Sequence, residues 1–174
     1  MHNFKINEAD ELIISPAISS SASDFDFYFG KWNIKNKKLK TRLANSEEWI
    51  EFEATEEASP LLRGFGNMNR FITSLDGEPF EGMAVRLFNP QTKLWSIYWA
   101  DSNVVSFDPP QIGSFDGDIG KFYAWDVFNG QQVLVLFQWD KRDPDYPVWS
   151  QAFSTDRGKT WEWNWYMYAS RTSV

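Results

Sequence analysis

Along most of this chain, apolar and polar side chains change places every second residue. Trp161, Trp163 and Trp165 alternate with Glu162, Asn164 and Tyr166, and the same rhythm runs through Trp95, Ile97 and Trp99 and through Trp149, Gln151 and Phe153. A period of two is the signature of a strand, whose successive side chains point to opposite faces. The pattern predicts strands over residues 31–40, 48–54, 67–75, 80–88, 94–100, 120–128, 132–139, 148–154 and 161–169. Between them lies turn chemistry: Asp76-Gly77, Asn89-Pro90, Asp108-Pro109-Pro110, Asp116-Gly117 and, as the strongest hairpin signal, Asn129-Gly130. No helical pattern is long enough to carry the chain between parallel strands, so consecutive strands pair antiparallel. An antiparallel meander of about nine or ten strands closes on itself, because closure removes its exposed edges, and such a barrel has room inside for side chains or one small ligand. The expected fold is all-β, a single up-and-down barrel over residues 24–174. It follows a leader of residues 1–23, partly flexible or forming a short helix that closes one barrel end.

The late strands are apolar on both faces. One phase is aromatic or aliphatic; the other mixes Arg86, Tyr98, Gln138, Ser150, Glu162 and Asn164 with Phe88, Leu134, Leu136, Ala152, Tyr166 and Tyr168. A barrel needs only an apolar interior, so a second apolar face implies a covering helix or a partner subunit, and a homodimer is expected. Parity leaves two arrangements open. With the mixed phase inward, Arg86, Gln138, Glu162 and Asn164 converge on an apolar wall, where Arg86 suits a carboxylate or phenolate or else pairs with Glu162. With it outward, Trp95, Trp99, Phe137, Trp139, Trp149, Gln151 and Trp165 line the interior.

Composition prunes the chemistry. A net charge of −7 repels a phosphate backbone, so nucleic acid is not an expected partner. The run Lys35, Lys37, Lys38, Lys40, Arg42 reads as a solvated or edge strand rather than an anion patch. The chain has no cysteine and a single histidine, His2. Disulfides, thiolate chemistry, His-ligated metals and Ser-His-Asp catalysis therefore lack their residues, and neither a metal nor a cofactor is expected. The acidic groups Glu47, Glu48, Glu51, Glu53, Glu56, Glu57 and Asp140, Asp143, Asp145 lack ligand spacing, and the first is read as alternating outward along a strand and its turn. The first residues lack the pattern of a signal peptide and no apolar run reaches membrane-span length, so a cytoplasmic protein without membrane association is expected.

Gly30-Lys31-Trp32 opens the first predicted strand, and Arg171 follows the last. This Gly-x-Trp with a terminal basic residue resembles the calycin superfamily of lipocalins and fatty-acid-binding proteins, nearest to bacterial lipocalin-like domains of unknown function. The resemblance implies that Gly30, Trp32 and Arg171 close the barrel floor, with Arg171 laid against the Trp32 indole. Haem, held by a late-strand histidine in nitrobindin-like relatives, is not carried over, since no histidine stands there. The segment Ser154-Thr155-Asp156-Arg157-Gly158-Lys159-Thr160-Trp161 fits the Asp-box pattern of sialidase propellers; a single copy is a hairpin turn and not an active site.

These readings converge on a barrel that binds a small, mostly apolar or amphipathic molecule with a polar or anionic head. Its expected contacts are Arg86, Tyr98, Trp99, Gln138, Trp149, Gln151, Glu162 and Asn164. One alternative is a cofactor-free isomerase, cyclase or decarboxylase with Glu162 as acid or base and Arg86 and Tyr98 positioning the substrate. A second is a protein-interaction module with a filled interior and an exposed aromatic patch.

Overall fold

A computed structural model describes residues 3–172, so His2 lies outside the described residues. Two short strands, β1 (Phe4–Ile6) and β2 (Leu12–Ile14), pair as an N-terminal hairpin. Ten longer ones follow: β3 (Gly30–Leu39), β4 (Trp49–Leu61), β5 (Gly66–Leu75), β6 (Glu78–Asn89), β7 (Leu94–Asp101), β8 (Gln111–Asp116), β9 (Ile119–Phe128), β10 (Gln131–Asp140), β11 (Val148–Ser154) and β12 (Glu162–Arg171). Each pairs antiparallel with its chain neighbour, and β12 pairs with β3, which closes a ten-stranded barrel. Asn129 and Gly130 hold φ of 50° and 79°, the left-handed pair of a two-residue hairpin turn whose twist matches the strands it joins. Closure means that β3 is not an edge strand; its lysine run lies between β12 and β4.

One end of the barrel is plugged by rings. A 3₁₀ turn, Asp26–Tyr28, brings Phe25 and Tyr28 inward against Trp32, Phe88, Trp95, Phe115, Phe122 and Trp139, all buried in one cluster. Trp32 is fully buried: its indole N–H donates to the Tyr28 carbonyl at 2.7 Å and its ring stacks on Tyr28 with centres 5.2 Å apart. Beneath it, the Arg171 guanidinium lies 4.2 Å from the Trp32 ring centre and donates to the carbonyls of Phe29 and Phe27 at 3.0 and 2.9 Å. A cation over an indole and two satisfied carbonyls seal this end, here called the floor.

The second apolar face is real, and over β9, β10 and β11 its cover is an N-terminal hairpin and not a helix. Phe4, Ile6, Leu12 and Ile14 of the N-terminal hairpin pack outside the barrel on Tyr123, Leu134, Leu136 and Ala152, with Trp125, Trp161 and Trp163 alongside. Residues 3–23 contain no helix; they form this hairpin and a loop tied to the barrel by Ala17 N–H on Ser114 Oγ (2.9 Å) and Ser20 Oγ on the Lys93 carbonyl (2.8 Å). The Asp-box turn is the hairpin's other anchor. Asp156 accepts from the backbone N–H groups of Lys159 and Thr160 and from the hydroxyls of Thr160 and Ser154, while Arg157 reaches the Asn7 carbonyl and pairs with Asp10 at 2.7 Å. Gly158 sits at φ 84°, and a Cβ there would lie 2.6 Å from the Phe4 ring. Gly158→Ala should therefore cost about 1–2 kcal/mol and loosen the hairpin. Equilibrium unfolding, with hydrogen exchange at residues 4–14, checks this.

Candidate functional site

Above the aromatic floor the barrel is not filled. A cavity of about 390 Å³ extends to the opposite end, within the range of small-molecule sites. Its walls are the inward phase of nearly every strand, with Phe52, Phe71, Trp99, Phe137, Trp149 and Trp165 among its lining aromatic side chains. At the open end it is bounded by Lys38 and Arg42 on one side and by Asp101, Asp108 and Asp126 on another.

Its deepest part is polar. Glu56 lies on β4 in the same phase as Phe52, Ala54 and Ala58, and so it points inward while Glu51, Glu53 and Glu57 remain exposed. It accepts from the Tyr28 hydroxyl at 2.5 Å and from Asn69 Nδ2 at 3.0 Å. Burial raises the Glu56 carboxyl from 4.5 to about 7, opposed by the Tyr28 hydrogen bond and the Arg86 charge. Burial also pushes the Tyr28 phenol well up and the Arg86 guanidinium down.

Arg86 is buried, only 4% exposed, among aromatic faces: its guanidinium carbon is 4.9 Å from the Phe25 ring centre, 5.6 Å from Trp139 and 5.8 Å from Tyr28. Nη1 donates to Asn67 Oδ1 at 3.0 Å, but the buried Nε has no protein partner. Asn69 Oδ1 and Gln111 Oε1, also buried and also facing the cavity, likewise have none. The floor therefore offers one N–H donor and two acceptors beside a carboxyl poised near neutrality.

The structure separates the eight expected contacts. Arg86, Trp99, Trp149 and Gln151 line the cavity. Arg86 belongs to the aromatic phase because register sets it opposite Ile97, while Tyr98 stands opposite Val85 on the outer side, its ring against Phe107. Gln138 alternates with the cavity residues Phe137 and Trp139 and faces out, level with Lys121 and Ser150. Asn164 is the extra residue of a bulge between Gln151 and Ala152; fully buried, it accepts from Gln151 Nε2 at 2.9 Å and so orients a lining residue without lining the cavity itself. Glu162 is remote from Arg86: at the open end, both its oxygens take the Leu43 N–H at 2.9 Å, and Arg42 lies beside it. The arrangement gives Glu162 no place at the cavity floor and no ion pair with Arg86. Among the described residues, no group of three or more His, Cys, Asp or Glu side chains is placed to hold a metal. Asp140 pairs instead with Arg142, and Asp145 with Arg171. No helix among the described residues is long and apolar enough to cross a membrane.

Sequence reasoning missed Glu56, Asn69, Tyr28 and Gln111. For Glu56 a signal existed in the parity Phe52, Ala54, Glu56, Ala58; it was masked by the acidic residues around it.

These features define the class: a closed, ten-stranded antiparallel barrel with an aromatic floor and an internal cavity. Among solved structures, the S-type phycobiliprotein lyase CPES of Guillardia theta has a similar fold, with a TM-score of 0.59 and 10% identity over 90% of this chain and 95% of the lyase. No family model matches the chain, and no curated protein matches it by sequence.

Proposed function

We propose that this barrel binds a small, largely apolar molecule whose polar head reaches the Arg86–Asn69–Glu56 floor. The observation that carries this reading is the pairing of aromatic walls with buried polar atoms that the protein itself leaves unpartnered. An unmade hydrogen bond at a buried group costs about 1–3 kcal/mol, and a ligand group that supplies it recovers that amount. The head is accordingly one that accepts from Arg86 Nε–H and donates to Asn69 Oδ1, as a hydroxyl, an amide or a protonated acid does. The phycobiliprotein lyase likeness supports the barrel and carries no substrate across. An unfilled interior counts against a module that works only through its outer surface.

Native mass spectrometry of gently purified protein, set beside the denatured mass and an organic extract, tests the reading. A retained small molecule is the expected result. Arg86→Met should weaken its retention about tenfold or more, the worth of one hydrogen bond from a charged donor. Retention unchanged in that variant would place the head elsewhere.

A second reading, turnover of the bound molecule by proton transfer, is favoured by Glu56, a cavity-facing carboxyl held near neutrality. Under it, Glu56→Gln preserves binding and abolishes turnover.

A further inference from the structure

At the other end of the cavity from Arg86, the geometry points to a second function. We propose that Lys38 is a covalent capture point of the cavity, forming an imine with an aldehyde-bearing ligand. This rests on the reading of the cavity as a ligand site.

Lys38 differs from the neighbouring lysines of the run. Lys35 is exposed, Lys37 lies 5.1 Å from the outer Trp49 ring, and Lys40, exposed, is paired with Glu48 at 2.8 Å. Lys38 instead continues the inward phase of Trp32, Ile34 and Asn36 and lines the cavity, its Nζ 4.1 Å from the Trp165 ring centre. Among the described residues no carboxylate lies within ion-pair distance of it. Phe52, Phe137, Trp149 and Met167 line the same space. An amine against aromatic rings, near another cation, is the setting that turns a lysine into a nucleophile. The groups that act on it follow this logic: burial and then Arg42 bring it from 10.5 to about 8, with Asp101 opposing, while Asp108 and Asp126 border the same opening.

The chemistry needs no other reactant. The Nζ lone pair adds to the aldehyde carbon to give a carbinolamine. The carbonyl oxygen then leaves as water with the two amine hydrogens, and a C=N bond remains. Once protonated, that nitrogen keeps the positive charge that Lys38 now places over Trp165.

The test treats the intact protein with cinnamaldehyde and sodium cyanoborohydride near neutral pH, then locates the reduced adduct by peptide mass mapping. Cinnamyl alcohol, which cannot form an imine, reports non-covalent binding in parallel through quenching of cavity tryptophan fluorescence. The expected result is one predominant adduct, at Lys38. At about pH 7.5 the neutral fraction of such an amine is roughly two hundredfold that of an ordinary lysine, and its lower basicity returns part of this, leaving about a tenfold rate advantage. Lys38→Arg keeps the cation over the indole and should lose the adduct while retaining alcohol binding. Alcohol binding with no adduct, or with adducts spread evenly over surface lysines, would overturn the role of Lys38 and leave the binding site standing. Failure of both molecules to bind would remove both.

Discussion

Trp32→Ala should lower stability by about 3–5 kcal/mol, the range for emptying a buried aromatic position. For a domain of this size that is a fall of roughly 10 °C in Tm. The magnitude follows from three losses at one place: a fully buried indole, its N–H on the Tyr28 carbonyl, and the surface on which Arg171 rests. Arg171→Met separates them. It removes the cation and two carbonyl contacts but leaves the core intact, and because Arg171 is exposed it should cost only about 1 kcal/mol. The larger substitution should also reach the site. Trp32 stacks on Tyr28, whose hydroxyl holds Glu56, so a loosened floor disturbs the carboxyl that faces the cavity. Chemical denaturation of the two variants side by side measures this. A Trp32→Ala protein as stable as Arg171→Met would show that the floor is not what holds the barrel shut.

How much of this architecture could be read in advance depends on whether local pattern or distant pairing decides each feature. Nine of the ten barrel strands alternate strongly enough to be seen, because a half-buried strand must alternate whatever lies beside it. The tenth, β8, follows Pro109-Pro110 and carries Gly113 and Ser114, both buried, within six residues, so its side chains mark neither phase. The N-terminal hairpin escapes for a different reason. Three-residue strands are too short to show a period, and their role as a cover is fixed by Tyr123, Leu134 and Ala152 more than a hundred residues away. The site shows the same division. Arg86 stands out as a lone cation in an apolar strand, but its partner does not: register sets it opposite Ile97 and in the company of Glu56, whereas phase counting placed it with Tyr98 and Glu162. A bulge at Gln151/Ala152 then moves Asn164 out of the simple alternation of β12. Register and bulges are tertiary facts, and the floor of this cavity is built from them.

Glu56 gives the fold a pH dependence that a surface carboxylate would not. Its carboxyl ionises near 4.5 when unfolded and near 7 when buried, so between these values the native state holds a proton that the unfolded chain has released. Stability from this group is therefore complete below about pH 4.5 and is lost as pH rises through 7. The loss at higher pH amounts to about 3 kcal/mol from that difference in proton affinity. Asp108, raised by burial and by Asp126 and Asp101, acts in the same direction, while Asp156, held at about 2 by its turn, acts in the opposite one at lower pH. The Glu56 contribution is isolated by comparison with Glu56→Gln, which keeps an acceptor for the Tyr28 hydroxyl and for Asn69 but cannot ionise. Wild-type protein should weaken from pH 5 to pH 8 relative to the variant by about 3 kcal/mol, read from urea midpoints at fixed ionic strength. Parallel profiles would mean that Glu56 is solvated well enough to ionise freely, and the proton-transfer reading would lose its carboxyl. Divergent profiles would make the proton on Glu56 part of the cavity's chemistry, because a head group that accepts from Arg86 then meets a neutral acid below pH 7 and an anion above it.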